Sequence, residues 1–569
     1  MKNTKLIIAL IIFCLSALVG QTRTVGVFVN DTAKVFKGYT LFAPKQNTMT
    51  YLINNEGRIV HQWTTSALPP GQSVYLLENG NLLRTCMTKG NLSSGGGEGG
   101  RIEEYNWNDS LVWSMDYSTT TYMQHHDIHR LPNGNIIMLV IEKKTYAEAI
   151  AAGFNPNKFQ PEIAQKQMML PDYVVEIKPT YPSGGTVVWE WHTWDHLIQD
   201  YDATKLNYGV VKDHPELVDA AGDQKALPAF WNHMNSIDYN PAFDQIALSV
   251  RGNSEVWIID HSTTTAEAKS HAGGKRGKGG DLLYRWGNPA AFRSGTVANQ
   301  RYFQQHDVEW VNPGSPGAGN LTCFNNGLGR GNYSTVDEFT PAVDTAGNYT
   351  MVAGNATSPA NFTWTYKNTT VGDTMYSENI SGAYRLANGN TIICSGTVGL
   401  FLEVTSAGQI AWRYVCPVDQ YGRITQGNKP PIDVARPPEL MNSVFRVYKY
   451  PLDYAAFKGR DLTPGSFVEL YPTAAGETQE VPQSFRLDQN YPNPFNPSTV
   501  ISYSLQTSSP VRLSVFDLLG REVAQLVNTE KPAGSYSVTW NAFNVPSGVY
   551  FYRLSAGNFT ETKKMLLEK

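Results

Sequence analysis

Histidine recurs at one point of a repeated pattern. Gln124-His125-His126-Asp127-Ile128 is echoed by Gln304-Gln305-His306-Asp307-Val308, and His233 stands in Trp231-Asn232-His233-Met234-Asn235-Ser236-Ile237. Each follows an aromatic residue: Tyr122, Trp231 and Phe303. His233 and Asn235 are two residues apart, so a strand would place both on one face. Arg251 comes one strand later, after Gln245 to Val250, where a hairpin partner could return it to the same rim. Three imidazoles and a guanidinium beside aromatic rings suit a planar aromatic molecule that carries an oxyanion. Arginine offers a fork of donors to sulfate or phosphate oxygens. A neutral imidazole can donate, accept a proton or attack. Two other readings compete: packed core histidines, and a three-histidine zinc site with water in the fourth place. Repetition argues against the first. Arg251 argues against the second, because a cation beside a metal is unfavourable without an anion between them. Of the tandem pair, His126 is expected in the site, with His125 as its alternative. Trp231, Tyr122 and Asn235 are expected to bind substrate.

The elements that must bring these residues together read as strands. Gln124 to Ile128 leads into Leu131-Pro132-Asn133-Gly134-Asn135 and then the apolar run Ile136 to Leu139, a hairpin with an Asn-Gly turn. Tyr384 to Ile393 repeats its middle. A second recurring phrase sets an aromatic residue after an apolar one: Val60-His61-Gln62-Trp63, Val112-Trp113-Ser114-Met115, Val188-Trp189-Glu190-Trp191, Leu283-Tyr284-Arg285-Trp286, Thr363-Trp364-Thr365-Tyr366 and Ala411-Trp412-Arg413-Tyr414. Six such units of about four strands predict an all-β, six-bladed β-propeller over 21–472. A lone blade cannot cover its apolar faces, so the ring must close. Tyr39 to Phe42 and Ser443 to Tyr448 would complete a mixed closing blade. The recurring aromatics would pack between blades, and the histidine-bearing strands would line the channel. Tyr146 to Leu170 and Thr193 to Leu227 are expected to be partly helical insertions over one rim. The Gly/Lys stretch 271–280 lacks the Ser or Thr and the strand-to-helix setting of a phosphate loop. It reads as a solvated loop.

Composition sets outer bounds. A net charge of −4 over 569 residues gives no electrostatic case for nucleic acid. Lys2 and Lys5 precede the apolar run Leu6 to Val19, which predicts a secretory signal over 1–20 and no integral membrane span in the mature form. Cys86, Cys323, Cys394 and Cys416 show no C-x-x-C spacing, and both disulfides and buried thiols fit an exported chain. A polar linker over 473–483 leads to a compact all-β unit at 484–569, expected to be a small β-sandwich. Its opening, Asn490-Tyr491-Pro492-Asn493-Pro494-Phe495-Asn496-Pro497, resembles the C-terminal sorting domain of type IX secretion cargo. That resemblance implies the type IX machinery as partner and a secreted or cell-surface protein.

Residues 37–465 resemble the arylsulfate sulfotransferase (arylsulfotransferase) family. The likeness rests on His125-His126-Asp127-Ile128 with Leu131 to Asn135, on His233, Asn235 and Ser236 with Arg251, on Leu283 to Pro289, and on His306-Asp307. It implies a six-bladed propeller that moves a sulfuryl group from a phenolic sulfate ester to a phenol acceptor without a nucleotide donor. It needs no cofactor and no metal. His306 matches the histidine that becomes transiently sulfated in a ping-pong cycle. His126, His233, Asn235 and Arg251 match positions that hold the sulfuryl oxygens or assist proton transfer. A separate N-terminal sandwich domain found in some members is missing here. Two further hypotheses stand beside this one: a non-catalytic surface propeller that binds sulfated, aromatic or polysaccharide ligands, and a metal-dependent hydrolase using the three histidines.

Overall fold

Each copy of the apolar-aromatic phrase becomes the last strand of an antiparallel sheet. In a computed structural model the described residues are 23–88, 92, 96–221, 228–331, 333–368, 375–434, 436–471, 485–490, 492–543 and 545–568. The expected signal segment 1–20 and linker 473–483 lie outside them. The chain divides into two compact units, Met1–Leu470 and Tyr471–Lys569. The regular elements of both are mostly strands.

Among the described residues, the larger unit contains six sheets of four or more strands. The first runs Val444–Pro451, Gly38–Pro44, Thr50–Ile53, Ile59–Trp63, and the second Pro70–Leu76, Leu82–Met87, Gly100–Tyr105, Leu111–Asp116. The third is Tyr122–Arg130, Ile136–Glu142, Asp172–Pro179, Gly185–His192, and the fourth Met234–Asn240, Gln245–Val250, Glu255–Asp260, Tyr284–Trp286. The fifth is His306–Trp310, Leu321–Asn325, Thr335–Phe339, Trp364–Tyr366. The sixth is Gly382–Arg385, Thr391–Ser395, Leu400–Val404, Ile410–Val415, with Gly26–Asn30 added outside. The late strand Val444–Pro451 pairs with the early strand Gly38–Pro44, so both ends of the unit share one sheet.

The recurring tryptophans have a common task. Trp63, Trp113, Trp191, Trp286, Trp364 and Trp412 each donate an indole N–H to a main-chain carbonyl of the following sheet: Asn106, Gly184, Gly280, Pro359, Ser406 and Asn55. The last of these leads from the sixth sheet back to the first. Leaving a buried indole donor unmatched costs about 1–3 kcal/mol, so the ring must face its neighbour in one register. The aromatic bodies fill apolar clusters shared by adjacent sheets, such as Trp412, Tyr414 and Phe401 with Phe42 and Tyr51.

The first strands also touch in sequence, each against the next and the sixth against the first. Their side chains meet in a buried polar network. The Arg446 guanidinium contacts Asp127 Oδ2 at 2.7 Å, Asp307 Oδ1 at 2.8 Å and the Asn235 carbonyl at 2.7 Å. Asp127 also accepts the Tyr75 hydroxyl and the Ile237 N–H, and Asp307 accepts the Ala383 N–H. First strands of all six sheets therefore contribute.

Two of the expected insertions differ from each other. Tyr146 to Leu170 carries two short α-helices, Tyr146–Ala151 and Pro161–Lys166. The described part of Thr193 to Leu227 has only 3-10 turns and a two-stranded parallel pair, Leu197–Ile198 with Val218–Asp219. The four cysteines Cys86, Cys323, Cys394 and Cys416 are buried free thiols.

In the smaller unit, Arg486–Leu487, Ser498–Leu505 and Gly534–Asn541 form one antiparallel sheet. Glu522–Lys531, Ser509–Phe516, Gly548–Ala556 and Phe559–Leu567 form another. Ile501, Leu505, Leu513, Trp540, Tyr552 and Met565 join in a single core. The proline-rich opening is fastened to it. Phe495 is buried, Asn490 donates to Thr499 Oγ1 and the Pro492 carbonyl, and its N–H reaches the Tyr552 hydroxyl.

Replacing Arg446 with methionine keeps the bulk and removes the charge. Asp127 and Asp307 would then be buried without their cation. The expected cost is about 3–5 kcal/mol, read as a lower midpoint in urea unfolding of the purified chain. A variant as stable as the wild type would show that the network does not hold the first strands together.

Candidate functional site

The start of each histidine-bearing strand carries a bulge: His126 lies within its own, whereas His233 precedes its strand and His306 still pairs with Phe324 at the edge of its bulge. In the third sheet Met138 and Val140 face Ile128 and Gln124, so residues 125–127 stand opposite Leu139 alone. In the fourth, Met234 and Ser236 face Val250 and Ser249, which leaves Asn235 extra. In the fifth, the register shifts between His306 and Glu309. Left-handed backbone accompanies the bulges, at His126 (φ 48°), His233 (φ 50°), Gln304 (φ 56°) and Asp307 (φ 63°). Bulges re-aim side chains in this way. They also alter the simple alternation expected of His233 and Asn235, because His233 precedes the strand and Asn235 is the extra residue.

The rings converge. His126 and His233 lie 5.1 Å apart by ring centroid, and His125 is 5.1 Å from His126. The charge of His306 acts on both His126 and His233, and Arg251 acts on His233 and His306. Phe230 stacks on His233 at 4.1 Å, and Phe445 lies 6.0 Å from His126. Gly97 covers His126. Its carbonyl accepts the His126 N–H at 2.8 Å, and a Cβ there would fall 1.8 Å from His126 Cε1. With φ at +69°, that position requires glycine on both counts.

Hydrogen bonds fix the ring protons. Asn326 donates both amide hydrogens, to the carbonyls of Ser377 and Ile380. Its Oδ1 can therefore only accept, and it lies 2.7 Å from His306 Nδ1. His306 thus carries its proton on Nδ1 and keeps a lone pair on Nε2. An ion-pair contact of 2.8 Å, without hydrogen-bond geometry, joins Asp172 Oδ1 to His125 Nε2, and His125 Nδ1 lies 2.8 Å from His126 Nδ1 within hydrogen-bond reach. Burial pushes the Asp172 carboxyl up, opposed by His125 and by the N–H groups of Met234 and His233.

Burial is also the first reason that His126, His233 and His306 are held well below the usual imidazole range. Neighbouring positive charge adds to it: His125 and then His233 for His126, and Arg251 first for His233 and His306. The three rings are neutral at neutral pH. Arg251 is brought down only to about 10 by burial, with Glu378 opposing, so it stays charged. Its Nε is buried without a hydrogen-bond partner.

The remaining expected residues are placed as follows. Asn235 Nδ2 donates to the Gln305 carbonyl at 2.8 Å, just before His306, and its Oδ1 is buried and unmatched. Trp231 packs on Phe154 in an apolar cluster, so the aromatic beside His233 is Phe230. Tyr122 meets Tyr117 at 4.8 Å, at the start of the strand that carries His126. Asp172, Asn326, Gly97, Phe230 and Arg446 were not singled out from the sequence. The run of glycines at 95–97 was the one visible signal among them.

The arrangement is a buried cluster of three neutral imidazoles beside the Arg251 cation. The ligand nitrogens of His126, His233 and His306 do not come within 4.8 Å of one another as a set, unlike those of His196 and His271 with Asp281. That spacing suits donors placed around a tetrahedral anion better than ligands on a bare ion.

Comparisons with known proteins add the following. No curated protein matches the chain significantly. Among solved structures, a protein of unknown function from Bacteroides caccae aligns at 10% identity and TM-score 0.35, covering 66% of this chain and 93% of that one. A catalytically inactive virginiamycin B lyase from Staphylococcus aureus with quinupristin aligns at 11% identity and TM-score 0.32, covering 70% and 86%. PorZ of Porphyromonas gingivalis, a surface component of the type IX secretion system, aligns at 10% identity and TM-score 0.27, covering 93% and 50%. Scores this low carry no conclusion about activity. The secretion system C-terminal sorting domain matches residues 489–568, which supports secretion or cell-surface export. No helix among the described residues is long and apolar enough to cross a membrane. The arylsulfotransferase (ASST) family model matches residues 27–429, most of the larger unit, and the chain belongs to that family.

Proposed function

We propose that this protein is an exported aryl sulfotransferase that moves a sulfuryl group from a phenolic sulfate ester to a phenol through a sulfated His306. The observation that carries the reading is the partnership of a charged Arg251, whose buried Nε lacks a partner, with His306, whose Nε2 lone pair is fixed by Asn326. The cation calls for an anionic oxygen, and the lone pair for an electrophile bound to it. Family membership supports the class of reaction.

In the first half-reaction the Nε2 lone pair of His306 forms an N–S bond as the S–O bond to the phenol breaks. The phenoxide leaves as an anion, which its conjugate acid pKa of about 10 permits, and takes a proton from solvent. Arg251 and His233 stabilise charge on the sulfuryl oxygens. Because Asn326 cannot accept the Nδ1 proton, the sulfated ring stays cationic and remains a good leaving group. In the second half-reaction the acceptor phenol gives its proton to His126 Nε2. The positive charge is shared through His125 with Asp172, in the manner of a triad. The phenol oxygen attacks sulfur, the N–S bond breaks, His306 returns neutral, and His126 releases its proton to solvent, which balances the one taken up by the first phenoxide. In this reading His125 relays protons, Asn235 holds the backbone ahead of His306, and Phe230 replaces Trp231 beside the aromatic substrate.

The architecture that the six indole contacts and the touching first strands support is a six-bladed propeller over 21–472. The two sheets around one core at 484–569 support a small sandwich, joined through the 473–483 linker. The type IX machinery would export the chain after a signal segment at 1–20.

Three outcomes test this. His306→Ala abolishes transfer from 4-nitrophenyl sulfate to phenol with an unchanged circular dichroism spectrum, and wild-type protein given donor alone gains one sulfuryl mass on His306. Comparable turnover in the variant removes the covalent route. Asp172→Asn slows turnover by about 10²-fold, more for weakly acidic acceptors than for acidic ones; a loss independent of acceptor acidity would reduce Asp172 to a structural part. The acid limb of kcat/KM falls below 6.5, because a depressed His306 pKa keeps the nucleophile unprotonated to lower pH. A limb above that value contradicts the assignment.

A further inference from the structure

The Gly/Lys loop 271–280 is bounded by His271 and followed directly by Asp281, and both meet His196. His196 follows the third sheet and is fully buried, parallel to Trp191. Its Nε2 lies 2.8 Å from the Ala268 carbonyl, which can only accept, so Nε2 carries hydrogen. Gly280 makes this approach feasible, since a Cβ there would fall 2.5 Å from Nε2 and 1.9 Å from that carbonyl oxygen. His196 Nδ1 therefore points at Asp281 Oδ1, 2.9 Å away, and either a second proton or another cation must lie between them. His271 Nδ1 reaches the same oxygen at 2.7 Å. The three ligand atoms all lie within 4.8 Å of one another.

We propose that His196 Nδ1, His271 Nδ1 and Asp281 Oδ1 bind a divalent transition ion of the zinc class, which clamps the two ends of the Gly/Lys loop. Two imidazoles and one carboxylate suit zinc better than calcium or magnesium, which prefer oxygen. The Ala268 carbonyl is the outer partner that an ion-binding histidine commonly uses to fix its free nitrogen. Tetrahedral zinc separates its ligand atoms by about 3.4 Å, so the His196 contact must open by about 0.5 Å and the His271 contact by about 0.7 Å. His271, with 61% of its side chain exposed, can rotate to allow the second, and a shift of the Asp281 carboxylate allows the first. The fourth place falls to water from a cavity of about 390 Å³ that His271 lines with Leu197 and His214. The ion would hold Lys275, Arg276 and Lys278 on a fixed loop. This inference is independent of the sulfuryl chemistry.

The test uses the full chain, stripped by chelator and then given zinc or cobalt(II). About one equivalent of zinc is retained through dialysis, cobalt gives the visible absorption of a four-coordinate site, and zinc slows tryptic cleavage after Lys275, Arg276 and Lys278 several-fold. His271→Ala loses all three signals while keeping its metal-free melting temperature and sulfotransfer rate. Equal zinc retention and equal protection in His271→Ala, or no cobalt spectrum and no protection in the wild type, would reduce the cluster to hydrogen bonds alone.

Discussion

One guanidinium governs the geometry at the centre of the larger unit. Arg446 bonds to carboxylates on two first strands and to a carbonyl on a third, and it comes from a strand contributed by the far end of the unit. Its field raises no doubt about charge state: Asp127 and Asp307 hold it well above the usual arginine range, although burial opposes them. Asp307 itself is pushed up to about 7 by burial, with Arg446 opposing and Asp127 and Asp238 adding repulsion. Several carboxylates share this space, and the Arg446 cation makes their burial tolerable.

Because Asp127 and Asp307 directly follow His126 and His306, the same contacts set the histidines. Each aspartate is drawn inward to Arg446 and to the N–H of the next first strand, Ile237 or Ala383. Ser236 does the same for Val308. The preceding residue then stands in or beside a bulge, with left-handed backbone at His126 itself and at Gln304 and Asp307 on either side of His306. Closure of the sheets and presentation of the imidazoles are thus one set of hydrogen bonds, which explains why a structural repeat and a chemical repeat coincide.

The sequence reveals whatever the repeat itself encodes. His126, His233, His306 and Arg251 were visible because they recur, or lie one strand from a recurrence, and the outer-strand tryptophans because they stand in a recurring apolar-aromatic phrase. What it hides are residues used once. Arg446 sits in Val444-Phe445-Arg446-Val447-Tyr448, where an alternating strand reads as one charged side chain turned to solvent. Asp172 and Asn326 act across gaps of 47 and 20 residues, on His125 and His306, with no motif to join them. Trp231 and Phe230 are neighbours, and extended backbone sends them to opposite sides. The larger ring goes to the core, and composition cannot tell which of the two turns toward His233.

The electrostatic consequence follows from position. The histidines lie between two guanidiniums, Arg251 and Arg446, and both disfavour their protonation. Arg446 spends its charge on carboxylates, so it acts on His126 and His306 only as a residual field. Arg251 has a carboxylate influence from Glu378 and no hydrogen-bonded anion at Nε. A bound oxyanion would therefore supply the partner that the buried Arg251 Nε lacks. In the proposed reaction, binding it would also lower the cost of positive charge on an imidazole as the N–S bond forms. Neutrality of the proposed nucleophile before binding, and stabilisation of its cation afterwards, would then have the same cause.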